Sequence, residues 1–171
     1  MKKVFFGLFL LALVLLGNPA LKAQELKFGH IDSRELLMAM PESDSAQAKI
    51  EKLASDYEQQ MEEMQVEFNK KYDEYLQNRE KYTTLIRQTK EADIQEMQQR
   101  IANFQQMAQQ DLQDQQSTMM RPILEKANKA VRAVAEENDF IYIFDTGSGN
   151  PIYWSEKSID IMPLVRTKLG I

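Results

Sequence analysis

The stretch KIEKLASDYEQQMEEMQVEFNKKYDEYL, residues 49–76, decides the fold, because its apolar residues recur at alternating steps of three and four. That spacing places them on one face of a helix. The stretch lies within 80 consecutive residues, 42–121, that contain neither Gly nor Pro and are rich in Gln, Glu, Lys, Met and Ala, which favour helix. The whole segment is therefore predicted to be helical.

Two apolar stripes within this segment predict a hairpin rather than one rod. The first runs from Ile50 to Ile86 and the second from Ile94 to Ala130. When the second stripe is paired with the first in reverse order, the position numbers of the partners add up to about 180, as for Tyr57 with Ile123. Two antiparallel helices closing near 87–93 satisfy these contacts together. The expected arm therefore spans 42–130.

Several apolar and aromatic residues lie off the stripe or at its edge, and a two-helix arm cannot bury them all. Met and Tyr suit contacts with many different apolar partners. These positions are candidates for binding another polypeptide, although widening of the seam between the helices explains them equally well. The candidate binding residues are Val66, Tyr75, Leu76, Tyr82, Leu85, Phe104 and Met107.

The charges of the arm are unevenly distributed. Residues 42–67 contain eight acidic residues and two lysines, whereas the region near the hairpin end is basic. A solvated helix surface explains both regions, and the functional alternative is contact of the basic end with an acidic protein segment or with an anionic membrane surface. The residues of the predicted basic tip are Arg79, Lys81, Arg87 and Lys90.

Short elements on either side of the arm predict a small β-containing body, 24–41 plus 131–171. Apolar and polar residues alternate over 26–32 as in a strand, and a short helix capped by Asp32 is predicted to follow. After the arm, the sequence predicts a second strand at 140–144, its return strand at 152–154 and a closing helix at 160–169. Three short strands cannot form an independently stable sheet with a covered core, so assembly of several chains through them is expected. The candidate oligomerisation residues are Phe28, Ile31, Ile141 and Ile143.

Smaller signals predict where the helices begin and end. Ser43 is a plausible N-cap for the first long helix, and Asn138 a C-terminal stop for the second. Pro122 predicts a kink or a restart near the base of the second helix.

The N-terminus has the layout of a signal peptide. Lys2 and Lys3 precede the apolar run Val4–Leu16, which is too short for a membrane-spanning helix, and small residues follow. We predict cleavage after Ala23, with an uncleaved N-terminal anchor as the alternative. Removing residues 1–23 takes away three lysines and no acid, so the formal charge moves from −5 to −8. A mildly acidic exported chain gives no reason to expect nucleic-acid binding.

No residue pattern predicts catalysis, a metal site or a cofactor. Asp145 lies in an Asp-Thr-Gly sequence typical of aspartic proteases, but such enzymes need two carboxylates sharing a proton, and neither a second lobe nor a β-domain fits here. His30 is the only histidine and the chain lacks Cys, which leaves neither a triad nor a zinc site. Asp145 is instead expected to accept hydrogen bonds within its own turn, with Gly147 and Gly149 free to adopt positive φ.

The order of these parts resembles the Skp/OmpH family of periplasmic chaperones. The resemblance is carried by the signal peptide, the opening FGHIDSRELLMAMPE, the long hairpin, and the ending from ILEKANKAVRAVAEENDFIYIFD to IDIMPLVRTKLG, and it covers 24–171. It implies an α+β, mostly α fold: a long antiparallel helical hairpin, or coiled-coil arm, on a small β body, assembled as a jellyfish-like homotrimer. It further implies a periplasmic, ATP-independent chaperone, not an enzyme, that holds unfolded outer-membrane β-barrel proteins.

One property departs from that family. Its better-known members are basic, whereas this chain is acidic after removal of the signal peptide. Apolar contacts are therefore expected to matter more than charge in holding a client. Two other functions stay open: an envelope structural or spacer protein without chaperone activity, and, with less support, a cytosolic prefoldin-like holder that keeps residues 1–23.

Overall fold

A computed structural model describes residues 26–171. The predicted signal peptide and its cleavage site lie outside these described residues. The helices and strands are, in chain order, β1 (Lys27–Ile31), α1 (Ser33–Met38), α2 (Pro41–Asn78), a 3₁₀ turn (Arg79–Lys81), α3 (Thr84–Glu137), β2 (Phe140–Asp145), β3 (Ile159–Asp160) and α4 (Met162–Leu169). A long helical hairpin on a small β body is confirmed. At 1.5 Å per residue, α2 is about 57 Å long.

The hairpin closes earlier than predicted. Residues 87–93 lie inside α3, and the turn between the long helices is formed by 79–83. Thr83 is the N-cap of α3, where its side chain accepts a hydrogen bond from the backbone N–H of Ile86 at 3.4 Å. The prediction of a tip near 87–93 was therefore wrong, because it followed the apolar stripe and overlooked this capping residue.

The register of the two helices differs accordingly. Cross-helix pairs such as Glu42–Lys126 and Glu74–Lys90 have position numbers that add up to 168 and 164, against the predicted 180. The difference of about 14 residues is close to four helical turns. Since a regular stripe matches itself again after whole turns, the apolar pattern alone could not separate the two registers.

Polar contacts between α2 and α3 are formed in this register at both ends of the arm. At the base Lys126 pairs with Glu42, which lowers the pKa of that carboxyl chiefly through the side-chain hydrogen bond. Near the tip the Nζ of Lys90 lies 3.1 Å from Glu74 Oε1, a contact that raises the pKa of the lysine. Such exposed pairs are individually weak, but their order along the helices is compatible with one register only.

The sheet is parallel throughout, with the strand order β2-β1-β3. The third strand is Ile159–Asp160, which pairs with β1, and not the predicted return strand at 152–154. That prediction was wrong because the Gly-containing segment after β2 was interpreted as a hairpin turn. The chain instead continues past the sheet and returns on the other side of β1, which becomes the central strand.

One hydrophobic core joins the body to the base of the arm. It is formed by Ile31, Leu36, Met40, Ala46, Ile123, Ala127, Ala130, Val134, Ile161, Met162 and Val165. Gly29 in the central strand permits this packing, since a Cβ at this position would lie 3.0 Å from Ile161 and 3.2 Å from Phe140. The sheet is thus covered on one face by helices of its own chain.

The observed helix ends agree in part with those predicted from the sequence. Asp32 caps α1 by accepting from the backbone N–H groups of Arg34 and Glu35, and Asn138 ends α3, both as predicted. Ser43 is not a cap, because α2 begins at Pro41 with Met40 as its N-cap residue. Pro122 lies inside α3, which continues through it without a restart.

Candidate binding surfaces of the arm and the body

The candidate binding residues of the arm divide into two groups. Val66, Leu76, Leu85 and Met107 are exposed, with 45% to 73% of their surface accessible. Tyr75, Tyr82 and Phe104 are half-buried between or beside the helices. The first group is therefore available to another molecule, whereas the second belongs partly to the seam of the hairpin.

Two of the half-buried aromatic residues, Phe104 and Tyr75, have partners within the arm. The rings of Phe104 and Tyr57 meet edge to face, with centroids 5.9 Å apart. Tyr75 donates its hydroxyl hydrogen to Glu91, and this bond raises the pKa of the tyrosine. Tyr57 likewise donates to Asp111, with 2.6 Å between the oxygens. Aromatic rings with hydroxyls fixed in this way present a firm, partly apolar surface.

A groove lies between the two long helices in the middle of the arm. It encloses about 620 Å³ and is lined by Ala54, Tyr57, Glu58, Met61, Glu62, Gln65, Phe104, Gln105, Ala108, Gln109 and Leu112. Its floor is apolar and its edges are polar. Apart from Phe104, the sequence did not single out these residues, because the predicted register placed Tyr57 opposite Ile123.

The basic residues do gather at the end of the arm. Arg79 and Lys81 lie in the turn itself, and Arg87 and Lys90 on the first turns of α3. Arg79 pairs with Glu80 at 3.2 Å and Lys90 with Glu74, while Lys81 and Arg87 form no ion pair with any residue of 26–171. The net positive surface of the tip therefore depends mainly on Lys81 and Arg87.

The face of the sheet that points away from the core is aromatic and exposed. Phe28 and Tyr142 stack with parallel rings 6.3 Å apart, and Phe144 lies beside Tyr142 at 6.1 Å. His30 donates or accepts at Ser158, 2.9 Å away, and lies 5.5 Å from Trp154. Ile152 and Tyr153, in the segment before β3, are 94% and 79% exposed. We name this surface, Phe28, Tyr142, Phe144 and 152–154, the outer face of the sheet.

The four candidate oligomerisation residues do not all lie on exposed surface. Phe28 is on the outer face and Ile141 is 47% exposed, but Ile143 packs against the core and Ile31 is buried within it. We therefore leave Ile31 and Ile143 out of any interface with another chain. Both faces of β2 are apolar in the sequence, so strand alternation alone could not tell which face covers the chain's own core.

The carboxylate of Asp145 is held by three hydrogen-bond donors. Its Oδ1 accepts from the backbone N–H groups of Ser33 at 3.0 Å and Gly147 at 2.9 Å, and its Oδ2 from the Ser33 hydroxyl at 2.7 Å. The bond from Gly147 lies within the turn, as predicted, while Ser33 joins the turn to the start of α1. Gly149 has a φ of 83°, whereas at Gly147 a side chain would collide with Asp32. This arrangement is that of a structural turn.

We expect Asp145→Asn to destabilise the fold. Burial raises the pKa of Asp145, but the hydrogen bonds from Ser33 and Gly147 outweigh it, so the pKa in the folded chain lies below the ordinary value of 3.8. The stabilisation is therefore complete above that value and lost as the pH falls through the folded pKa. Because hydrogen bonds to a charged group are strong, we expect the Asp145→Asn variant to lose about 2 kcal/mol of unfolding free energy at pH 7. The loss at pH 3 is expected to be smaller, and urea unfolding measures both values. Glu156→Gln, at an exposed position, is the control; equal losses at both pH values would contradict the assignment.

Two further properties concern the described residues only. Nowhere between residues 26 and 171 does a helix combine the length and apolar content that spanning a bilayer requires. In the same part of the chain, no cluster of three or more His, Asp or Glu side chains is arranged to hold a metal ion.

Comparisons with known proteins agree with this architecture. The family model described as outer membrane protein (OmpH-like) matches residues 27–169. No curated protein matches the chain. The crystal structure of a candidate outer membrane chaperone (OmpH-like) from Caulobacter crescentus superposes with a TM-score of 0.74 at 10% sequence identity, over 90% of this chain and 88% of that one. The likeness of that structure concerns the fold, and the family match covers nearly every described residue. The chain belongs to the OmpH-like family of outer membrane proteins.

Proposed function

We propose that this protein is an ATP-independent chaperone that holds unfolded outer-membrane β-barrel proteins in the periplasm and prevents their aggregation. The observation that carries the proposal is the set of exposed apolar side chains along the arm, Val66, Leu76, Leu85 and Met107. The name of the Caulobacter crescentus neighbour, an outer membrane chaperone, is consistent with it. The signal-peptide pattern of residues 1–23 supports export to the periplasm.

Holding requires several weak contacts acting together. An isolated exposed Leu or Met gives little affinity, but contacts repeated along an arm, and on several arms around one client, raise the overall affinity by increasing the effective concentration of binding positions. Strand-forming segments of the client would then be kept from pairing with other chains. In this mechanism the protein supplies no catalytic group, and the client leaves when it folds elsewhere.

Assembly of three chains through the body would provide those several arms. A parallel sheet is ordinarily covered on both faces, whereas here the outer face bears exposed Phe28, Tyr142 and Phe144. Such a contiguous apolar surface is typical of a protein interface. We propose a homotrimer joined at the outer face, with residues 42–130 as arms and the basic tip turned toward anionic headgroups of the membrane.

A structural or spacer protein of the envelope is the second candidate. The long arm favours it, because a helical hairpin is a suitable spacer. A spacer, however, needs no exposed Leu and Met at the positions that carry the proposal. Loss of function on replacing those side chains therefore separates the two candidates.

Native mass spectrometry of residues 24–171 tests the proposal directly. The chain is measured alone and after dilution of a urea-unfolded outer-membrane barrel protein into it. We expect an oligomer of three chains that takes up one client chain and keeps it soluble. A stable oligomer that leaves the client to aggregate would exclude the chaperone and favour the spacer.

A further inference from the structure

The groove of the mid-arm combines an apolar floor with an acidic edge. Tyr57, Met61 and Phe104 lie on the floor, while Glu58 and Glu62 line the edge contributed by α2. On the opposite edge, Gln105 and Gln109 of α3 are uncharged. The groove is therefore both apolar and locally negative.

The two carboxylates at this edge are not paired with any cationic side chain in the described part of the chain. Other acids of α2 are neutralised, for example Asp56 by Lys52 at 3.1 Å and Glu67 by Lys71 at 3.0 Å. Neither Glu58 nor Glu62 forms an ion pair with any residue in the described range 26–171. The groove thus keeps the negative charge of both carboxylates.

The spacing of Glu58 and Glu62 adds a second argument. Residues four apart on a helix are neighbours, and two like charges at this spacing repel each other. A cation placed between them would relieve that repulsion as well as gain its own attraction. The electrostatic repulsion between the two carboxylates is accordingly greater in the free arm than in the arm with a cationic ligand bound.

From these features we infer that the groove selects cationic apolar segments of an unfolded polypeptide, in which a Lys or Arg stands next to an aromatic or aliphatic side chain. The apolar side chain enters between Tyr57, Met61 and Phe104, and the neighbouring cation lies between Glu58 and Glu62. This inference rests on the proposed function and adds the class of segment that the arm prefers. A volume of about 620 Å³ accommodates one large side chain with its neighbours.

Fluorescence anisotropy with the full mature chain and three labelled peptides tests the inference. The peptides share one alternating pattern of Phe and Leu and differ only in their flanking residues, which are Lys, Ser or Glu. We expect the Lys peptide to bind about tenfold more tightly than the Ser peptide at low salt, since each 1.4 kcal/mol changes affinity tenfold. At high salt this preference is expected to shrink, because exposed charges are screened.

Two double variants locate the preference. Glu58→Gln with Glu62→Gln is expected to abolish the preference, so that the Lys and Ser peptides bind with equal affinity. Glu51→Gln with Glu63→Gln removes from the same helix two exposed carboxylates that also form no ion pair within residues 26–171 and lie outside the groove, and it is expected to keep the preference. Circular dichroism verifies that both variants stay helical.

The outcomes separate this inference from the proposed function. Equal binding of all three peptides, or an equal loss of preference in both double variants, overturns the selection by the groove while the holding function stands. Absence of binding for every peptide overturns both. A preference that disappears only in the Glu58 and Glu62 variant supports the inference.

Discussion

Replacing Phe28, Tyr142 and Phe144 together by threonine is expected to convert the proposed homotrimer into single chains. These side chains are 38%, 61% and 42% exposed in the single chain, and their rings form one contiguous stack. A full aromatic side chain buries about 150–250 Å². Given these exposed fractions, the three substitutions would remove on the order of 250 Å² of buried surface from each subunit's interface. A specific interface buries about 800 Å² per partner, so this share is large.

The expected loss of affinity follows from that area. At about 25 cal/mol per Å² the change amounts to several kcal/mol per subunit, enough to weaken assembly more than about a hundredfold. Threonine keeps a high preference for strands, so the sheet itself is expected to persist. Native mass spectrometry at low micromolar concentration measures the oligomer, and circular dichroism the fold.

Met38→Asp serves as the matched control for this triple variant. Met38 is 71% exposed and lies on α1, whose Leu36 packs into the core on the opposite side of the sheet. The control is expected to remain assembled. A triple variant that stays oligomeric would show that another surface joins the chains, and the outer face would then need a different partner.

Replacing Leu76, Leu85 and Met107 by serine is expected to weaken the proposed holding of clients strongly, while the fold and the proposed assembly persist. All three side chains are at least 45% exposed, so their removal leaves no cavity and costs little stability. Each loss of an apolar contact lowers the affinity for a client modestly, but the losses repeat on every arm. With about 1 kcal/mol per position and several arms around one client, suppression of aggregation is expected to fall at least tenfold.

Light scattering of a diluted, urea-unfolded barrel protein measures this effect. The control replaces the exposed neighbours Gln77, Gln88 and Gln106 by serine, which removes polar side chains from the same helices. The control is expected to suppress aggregation like the unmodified protein. Full activity of the Leu76, Leu85 and Met107 variant would instead favour the spacer.

Much of the arm could be predicted from residue type and spacing. Helix formers without Gly or Pro over 42–121, together with a regular apolar stripe, required helices whose apolar sides face one another. The caps at Asp32 and Asn138 were predicted for the same reason, since capping depends on a side chain and backbone groups only a few residues away. Interactions of this kind are local and are therefore visible in the sequence.

The register of the hairpin and the edge strand of the sheet could not be predicted in this way. A stripe repeated every few residues fits several registers of the two helices nearly equally. The turn at 79–83 and cross-helix contacts such as Tyr57 to Asp111 are compatible with only one of these registers. The choice of Ile159–Asp160 as the strand beside β1 likewise depends on where α4 packs. These features join residues far apart in the chain, so their energies depend on the whole arrangement.

The sequence by itself thus determined the class of molecule: a long helical hairpin carrying more apolar side chains than two helices can bury, on a small body of short strands. Only the tertiary structure decided which side chains share a surface. It placed Tyr57, Phe104, Glu58 and Glu62 around one groove, and it turned Ile31 inward and Phe28 outward on the same strand. The physical reason is that helix and strand periodicity follows from neighbouring residues, whereas burial and surface contacts follow from the packing of distant segments.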